Sequence, residues 1–203
     1  MTIHDKDAME QFPSRFPNAN ELSLTTDFKI ACDSIVNGLN RIIPLQQITR
    51  LILQCHRLSC KKFLELLHGS PHIHTLEVHS SLIYPVDSST FMQKNKLCKL
   101  ISDTNIVANV VIEKEILLKN LQFLVALFPR LESLTLHFRR ETLEPIVSFL
   151  LSKMNQNTRR LSFLFISTRD KTLVAYLRNV IESNDLLHCY TLKQINQKLC
   201  LWW

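Results

Sequence analysis

Glycine is almost absent, with only Gly38 and Gly69 in 203 residues. Neither the three-glycine dinucleotide fingerprint nor the phosphate-cradling Walker loop can be written with two. A G-x-S-x-G elbow and an H-E-x-x-H helix are missing too, and nothing places a nucleophile beside a base. The expectation is a non-enzyme with no catalytic residue, no cofactor and no resident metal. No uncharged apolar run approaches the roughly 18 residues that span a bilayer. The first ten residues carry Asp5, Asp7 and Glu10 and no hydrophobic segment, which is unlike a secretory leader. Six cysteines (Cys32, Cys55, Cys60, Cys98, Cys189, Cys200) occur without C-x-x-C spacing. They are expected as reduced thiols, mostly small core residues, in a cytoplasmic or nuclear protein.

What the chain does have is leucine at fixed spacing. An apolar triplet, x-x-apolar between the first two anchors and one residue before the third, recurs six times. It reads Ala19-x-x-Leu22-x-Leu24, Ile48-x-x-Leu51-x-Leu53, Ile73-x-x-Leu76-x-Val78, Val107-x-x-Val110-x-Ile112, Leu131-x-x-Leu134-x-Leu136 and Leu161-x-x-Leu164-x-Ile166. The third anchors advance in steps of 29, 25, 34, 24 and 30. That is the pattern of a leucine-rich repeat, whose period is about 20–29 residues and whose short strand opens each unit. The two longer steps mark insertions, the largest at Ser80–Ser89.

Between the triplets the period turns helical. Thr26 or Asp27 is expected to cap a helix bearing Phe28, Ala31, Cys32, Ile35 and Leu39, and Ser59 one from Lys61 to His68. Ser88 or Ser89 precedes Phe91, Met92, Leu97, Leu100 and Ile101. Lys114–Phe128 is helical by period, Thr142 caps a helix through Leu151 with Pro145 in its first turn, and Asp170 opens one burying Leu173, Val174, Leu177, Val180 and Ile181. The predicted fold is α/β: a leucine-rich-repeat solenoid, or horseshoe, with about six parallel strands on the concave side and helices outside. A doubly wound sheet would want longer apolar strands and glycine-rich turns. The expected organisation is an N-terminal cover at 1–18, repeats over 19–185 and a C-terminal cap at 186–203, where Leu199 to Trp203 closes the core.

The wording resembles the leucine-rich-repeat portion of F-box/leucine-rich-repeat proteins, most nearly those of bdelloid rotifers. The stretches that carry it are Phe16-Pro17-Asn18 with Glu21 to Leu24, Arg41 to Leu45, Leu66-Leu67 with Pro71 to Leu76, Phe149 to Lys153 with Asn155 to Arg159, and Lys198 to Trp203. The resemblance implies a protein–protein interaction module that recognises substrates for an SCF-type ubiquitin ligase. An F-box needs about 40–50 residues, whereas about 18 precede the first repeat, so an F-box is not expected and the ligase adaptor would be reached through other chains.

Equivalent positions of stacked strands form columns about 4.8 Å apart. The outward columns should read Glu21, Arg50, Thr75, Asn109, Ser133, Phe163, then Ser23, Ile52, Glu77, Val111, Thr135, Phe165, then Thr25, Gln54, His79, Glu113, His137, Ser167. Arg50, Ile52, Glu77, Val111, Phe163 and Phe165 are the candidate partner contacts, since outward aromatics concentrate at interface hot spots. The alternative for the two phenylalanines is that the C-terminal segment folds over them. His79, Glu113 and His137 share a column but sit too far apart to favour a metal, and Cys55-His56 with Cys60 lacks knuckle spacing. Arg139, Arg140, Arg169 and Lys171 form a basic rim, extended by His56, Arg57 and Lys114. With a net charge of +6, that rim supplies the second reading, nucleic-acid or anionic-surface binding; the bland reading is solvated loop charge.

Overall fold

A computed structural model describes residues 1–3, 15–25, 35–55, 58–79, 82–83, 91–92, 94–137, 140–168, 170 and 172–203. The fold is α/β with mostly parallel strands, and its chain divides into two compact units, Met1–Val107 and Ala108–Trp203.

In the N-terminal unit, β1 (Thr2–Ile3), β2 (Glu21–Leu24), β3 (Arg50–Leu53) and β5 (Thr75–Val78) are parallel neighbours in that order. The register aligns the triplets residue for residue: Leu22 with Leu51 with Leu76, and Leu24 with Leu53 with Val78. Two further short strands, β4 (Leu58–Ser59) and β6 (Leu82–Ile83), pair in parallel as a second small sheet. Helices α1 (Ile35–Ile42), α2 (Cys60–Gly69) and α3 (Lys96–Thr104) complete the unit. In the C-terminal unit, β7 (Asn109–Glu115), β8 (Ser133–His137) and β9 (Phe163–Ser167) are parallel. The hairpin β10 (Thr191–Ile195) and β11 (Lys198–Trp202) then joins the sheet antiparallel, with β11 beside β9 and β10 at the edge. Helices α4 (Leu118–Leu127), α5 (Arg140–Leu151) and α6 (Leu173–Ser183) follow the three parallel strands.

All six expected strands form, and every triplet anchor except Ala19 is buried, none more than 3% exposed. Period-two alternation turns the second and third anchors inward. Five of the six triplets are set up the same way by backbone bonds, whereas the amide of the remaining first anchor, Val107, donates to Asn105 Oδ1 at 3.2 Å. The amides of the first anchors Ala19, Ile48, Ile73, Leu131 and Leu161 each donate to the carbonyl three residues back. Each following strand is then tied to its predecessor by two consecutive amides on one carbonyl. Thr49 and Arg50 donate to Asn20, His74 and Thr75 to Thr49, Glu132 and Ser133 to Ala108, and Ser162 and Phe163 to Glu132. A repeat in sequence is thus a repeat in hydrogen bonding.

The helices differ from expectation at their starts. Ser59 caps α2 as expected, its hydroxyl accepting from the Lys62 amide at 3.4 Å, and Asn95 caps α3 by accepting from Leu97 at 2.9 Å. The helix expected from Lys114 begins only at Leu118, because the β-branched run Val110-Val111-Ile112 carries strand conformation on to Glu115. The helix expected to be capped by Thr142 starts at Arg140, so Pro145 lies beyond the first turn. Pro145 is exposed there, and as a proline it has no amide to donate to the carbonyl of Glu141. The helix expected to open at Asp170 begins at Leu173 with Thr172 as its N-cap; Asp170 forms the turn before it, its Oδ1 accepting from the Thr172 amide at 2.8 Å and the Thr172 hydroxyl at 2.7 Å. Those bonds hold its carboxyl below the usual range. The expected caps Thr26, Asp27, Ser88 and Ser89, with Phe28, Ala31 and Cys32, lie outside the described residues. No described helix is long and apolar enough to cross a membrane.

Candidate binding face of the strands

Inward anchors leave the intervening residues on the opposite face of each sheet, and the two units present different chemistry there. In the N-terminal unit the register stacks Glu21, Arg50 and Thr75 in one column and Ser23, Ile52 and Glu77 in the next. Arg50 donates from Nη1 to Glu21 Oε2 at 3.1 Å and from Nε to Glu77 Oε1 at 3.0 Å, with Nη2 on the same oxygen. Hydrogen bonding and charge from Glu77, then from Glu21, hold the guanidinium above its ordinary value. His79 Nε2 lies 3.4 Å from the other Glu77 oxygen. Ile52 is half-buried beside this network. The face is polar, cross-linked and close to charge-balanced.

In the C-terminal unit the corresponding strand positions are aromatic. Asn109, Ser133, Phe163, Trp202 and Thr191 align in one row, and Val111, Thr135, Phe165, Cys200 and Lys193 in the next. Phe163 is 45% exposed, and Phe165 and Val111 are half-buried. The two phenyl rings lie parallel, 5° apart in plane with centroids 6.4 Å apart. The C-terminal segment does not cover them; β11 adds alongside β9 and its Leu199 and Leu201 go into the core opposite Ile166 and Leu164. Lys193 Nζ sits 5.9 Å from the Trp202 ring centroid. A third row brings Ser167, Lys198 and Ile195 together, with Ile195 51% exposed.

The third expected column is altered at β7. An irregularity after Val111 pairs His137 with Glu115 in place of Glu113. Glu113 nevertheless reaches back, its Oε2 3.5 Å from His137 Nε2. His79 pairs with Glu77 inside the N-terminal unit and His137 with Glu113 inside the C-terminal one. Among the described residues no three His, Cys, Asp or Glu side chains are placed to hold a metal. The thiols are equally quiet. Burial, and then the charge of Cys98, pushes Cys60 up to about 12, and burial pushes Cys98 up to about 11. Neither is a thiolate near neutral pH.

Of the basic rim, Arg139, Arg169 and Lys171, with His56 and Arg57, lie outside the described residues. Arg140 is exposed, with its guanidinium carbon 5.0 Å from the Tyr176 ring centroid. The sequence reading missed Trp202, Lys193, Lys198 and Ile195 as face residues. The signal was there: Leu199 and Leu201 alternate with Lys198, Cys200 and Trp202, and Asn196-Gln197 supplies the turn. Set against protein-family models, curated proteins and solved structures, the chain finds no match.

Proposed function

We propose that the chain is a leucine-rich-repeat recognition module that binds a protein partner through the outward face of its strands. The observation that carries the reading is the exposed Phe163–Phe165 pair, left open where the C-terminal hairpin extends the sheet. Leaving an aromatic pair in water forgoes several tens of Å² of apolar burial, and such residues concentrate binding energy when a partner desolvates them. The backbone bond repeated at five of the six triplets supports the repeat assignment. By its resemblance to F-box/leucine-rich-repeat proteins, the partner is a substrate brought to a ubiquitin ligase, with the adaptor engaged through another chain or segment. Val111 is the further proposed contact on the C-terminal unit, and Arg50, Ile52 and Glu77 are those proposed on the N-terminal unit.

The test is comparative capture. Proteins retained by the wild-type chain are scored against those retained by Phe163→Ser/Phe165→Ser and by a control, Lys119→Ala, on α4. A partner lost only with the phenylalanines and ubiquitinated in their presence fits the reading; identical retention by all three chains contradicts it. A second reading, an anionic polymer or surface on basic residues, is favoured by one observation. The C-terminal unit holds 13 lysines and arginines against 8 carboxylates, a net +5 of the chain's +6. Binding that falls steeply with log salt and ignores the phenylalanine pair would select it.

A further inference from the structure

The outward face of the C-terminal unit has a composition that specifies more than apolar contact. Across β8, β9, β11 and β10 there is no aspartate or glutamate on either face. Among the strands of the C-terminal unit carboxylates occur only on β7, at Glu113 and Glu115, and Glu113 is already beside His137. Into the carboxylate-free part project Phe163, Phe165, Trp202 and Ile195, and among them Lys193 and Lys198. Arg159 and Arg160, both exposed, lie just before β9 at the Phe163 end, while Lys198 lies at the Ser167 end. The aromatic strip therefore has cations at both ends and one in the middle. The surrounding unit carries nearly all of the chain's excess positive charge.

We propose that this strip takes an acidic, apolar peptide segment of the partner protein, its apolar side chains against Phe163, Phe165 and Trp202 and its carboxylates on Lys193 and Lys198. The inference rests on the protein-binding reading above and gives it a partner chemistry. Charge complementarity selects the acidic side chains, and the exposed rings select apolar ones between them. Peptide is favoured over nucleic acid by Lys193, whose ammonium stands 5.9 Å from the Trp202 ring centroid and takes from a base the ring face on which it would stack. Ring edges and an ammonium held beside an aromatic suit aliphatic or aromatic side chains with a nearby carboxylate.

The experiment titrates the full chain with labelled peptides of about 12 residues, roughly 40 Å when extended, enough to cross four strands spaced about 4.8 Å apart. One repeats Glu-Leu-Glu-Phe, a second has glutamine for each glutamate, a third has lysine, and a fourth probe is oligouridylate of similar length. The expected order is acidic over glutamine peptide by about tenfold at low salt, with the lysine peptide unbound, and the gap closing near 0.5 M salt, roughly. Lys193→Glu/Lys198→Glu should abolish the acidic preference with an unchanged melting temperature. Phe163→Ser/Phe165→Ser should weaken both peptides. Equal binding of acidic and glutamine peptides, both lost with the phenylalanines, overturns this inference and leaves the protein-binding reading standing. Preferential binding of oligouridylate, or no binding of any peptide, overturns both.

Discussion

Phe163 stands directly across from Trp202 in the antiparallel pairing of β9 with β11, and both keep part of their rings in solvent. That relationship fixes the role of the C-terminal hairpin. Its leucines Leu199 and Leu201 finish the core on one side, while on the other it lengthens an aromatic strip begun by β9. One row further along, Cys200 lies between Phe165 and Lys193 and is only 6% exposed.

The hairpin turn stores strain that can be measured. Asn196 (φ 46°) and Gln197 (φ 62°) are both left-handed, as a two-residue loop between Ile195 and Lys198 requires. Asparagine tolerates that conformation; glutamine pays the Cβ penalty of about 1–2 kcal/mol, part of it returned by glycine's greater unfolded-state freedom. Gln197→Gly should therefore stabilise the chain by roughly 0.5–1 kcal/mol in denaturant melts. Asn196→Gly should do less.

The leucine ladder and the outward face should respond oppositely to truncation. Leu136 is fully buried in the third anchor position, so Leu136→Ala should cost about 2–5 kcal/mol through lost burial and a residual cavity. Ser133, on the same strand but outward and half-buried, should tolerate alanine within about 0.5 kcal/mol.

A double-mutant cycle on Arg50 and Glu77 tests the N-terminal face. The fork from Arg50 to one Glu77 oxygen is partly solvated, so a coupling of about 0.5–1 kcal/mol is expected, shrinking as salt rises. Coupling indistinguishable from zero at low salt would mean that the column does not hold its register in solution.

The cysteines predict an alkaline weakening. In the unfolded chain a thiol ionises near its ordinary value of 9.0, whereas folded Cys60 holds its proton to about 12 and Cys98 to about 11. An acid whose folded pKa is raised contributes its full stability below the unfolded value. Stability should be flat up to about pH 9 and decline between pH 9 and 12. Cys98→Ala should lower stability at neutral pH and flatten the alkaline slope. Site-resolved alkylation at neutral pH should mark exposed Cys189 first, with Cys55, Cys98 and Cys200 protected.

The strands were legible because an i, i+3, i+5 apolar triplet can be satisfied only by a turn feeding an inward-facing strand, and it recurs six times. The columns followed from it wherever pairing is regular, as with Ser133, Phe163 and their neighbours in register. They did not follow at β7, where backbone irregularity after Val111 moved His137 onto Glu115. Nor was β1 visible: Thr2-Ile3 is two residues long, and its place beside β2 depends on Ile3 finding a core site already made by others. The aromatic face needed the hairpin's register, since Trp202 and Lys193 are nine residues apart in sequence yet share one surface.

The most direct measurement is the stability of Phe163→Ser/Phe165→Ser by denaturant unfolding with far-UV circular dichroism. Rings that belong to an open face should cost little when removed, about 2 kcal/mol at most from the lost stacking and partial burial, with the spectrum unchanged. A loss of more than about 6 kcal/mol, or collapse of the fold, would place both rings in the core and contradict the account.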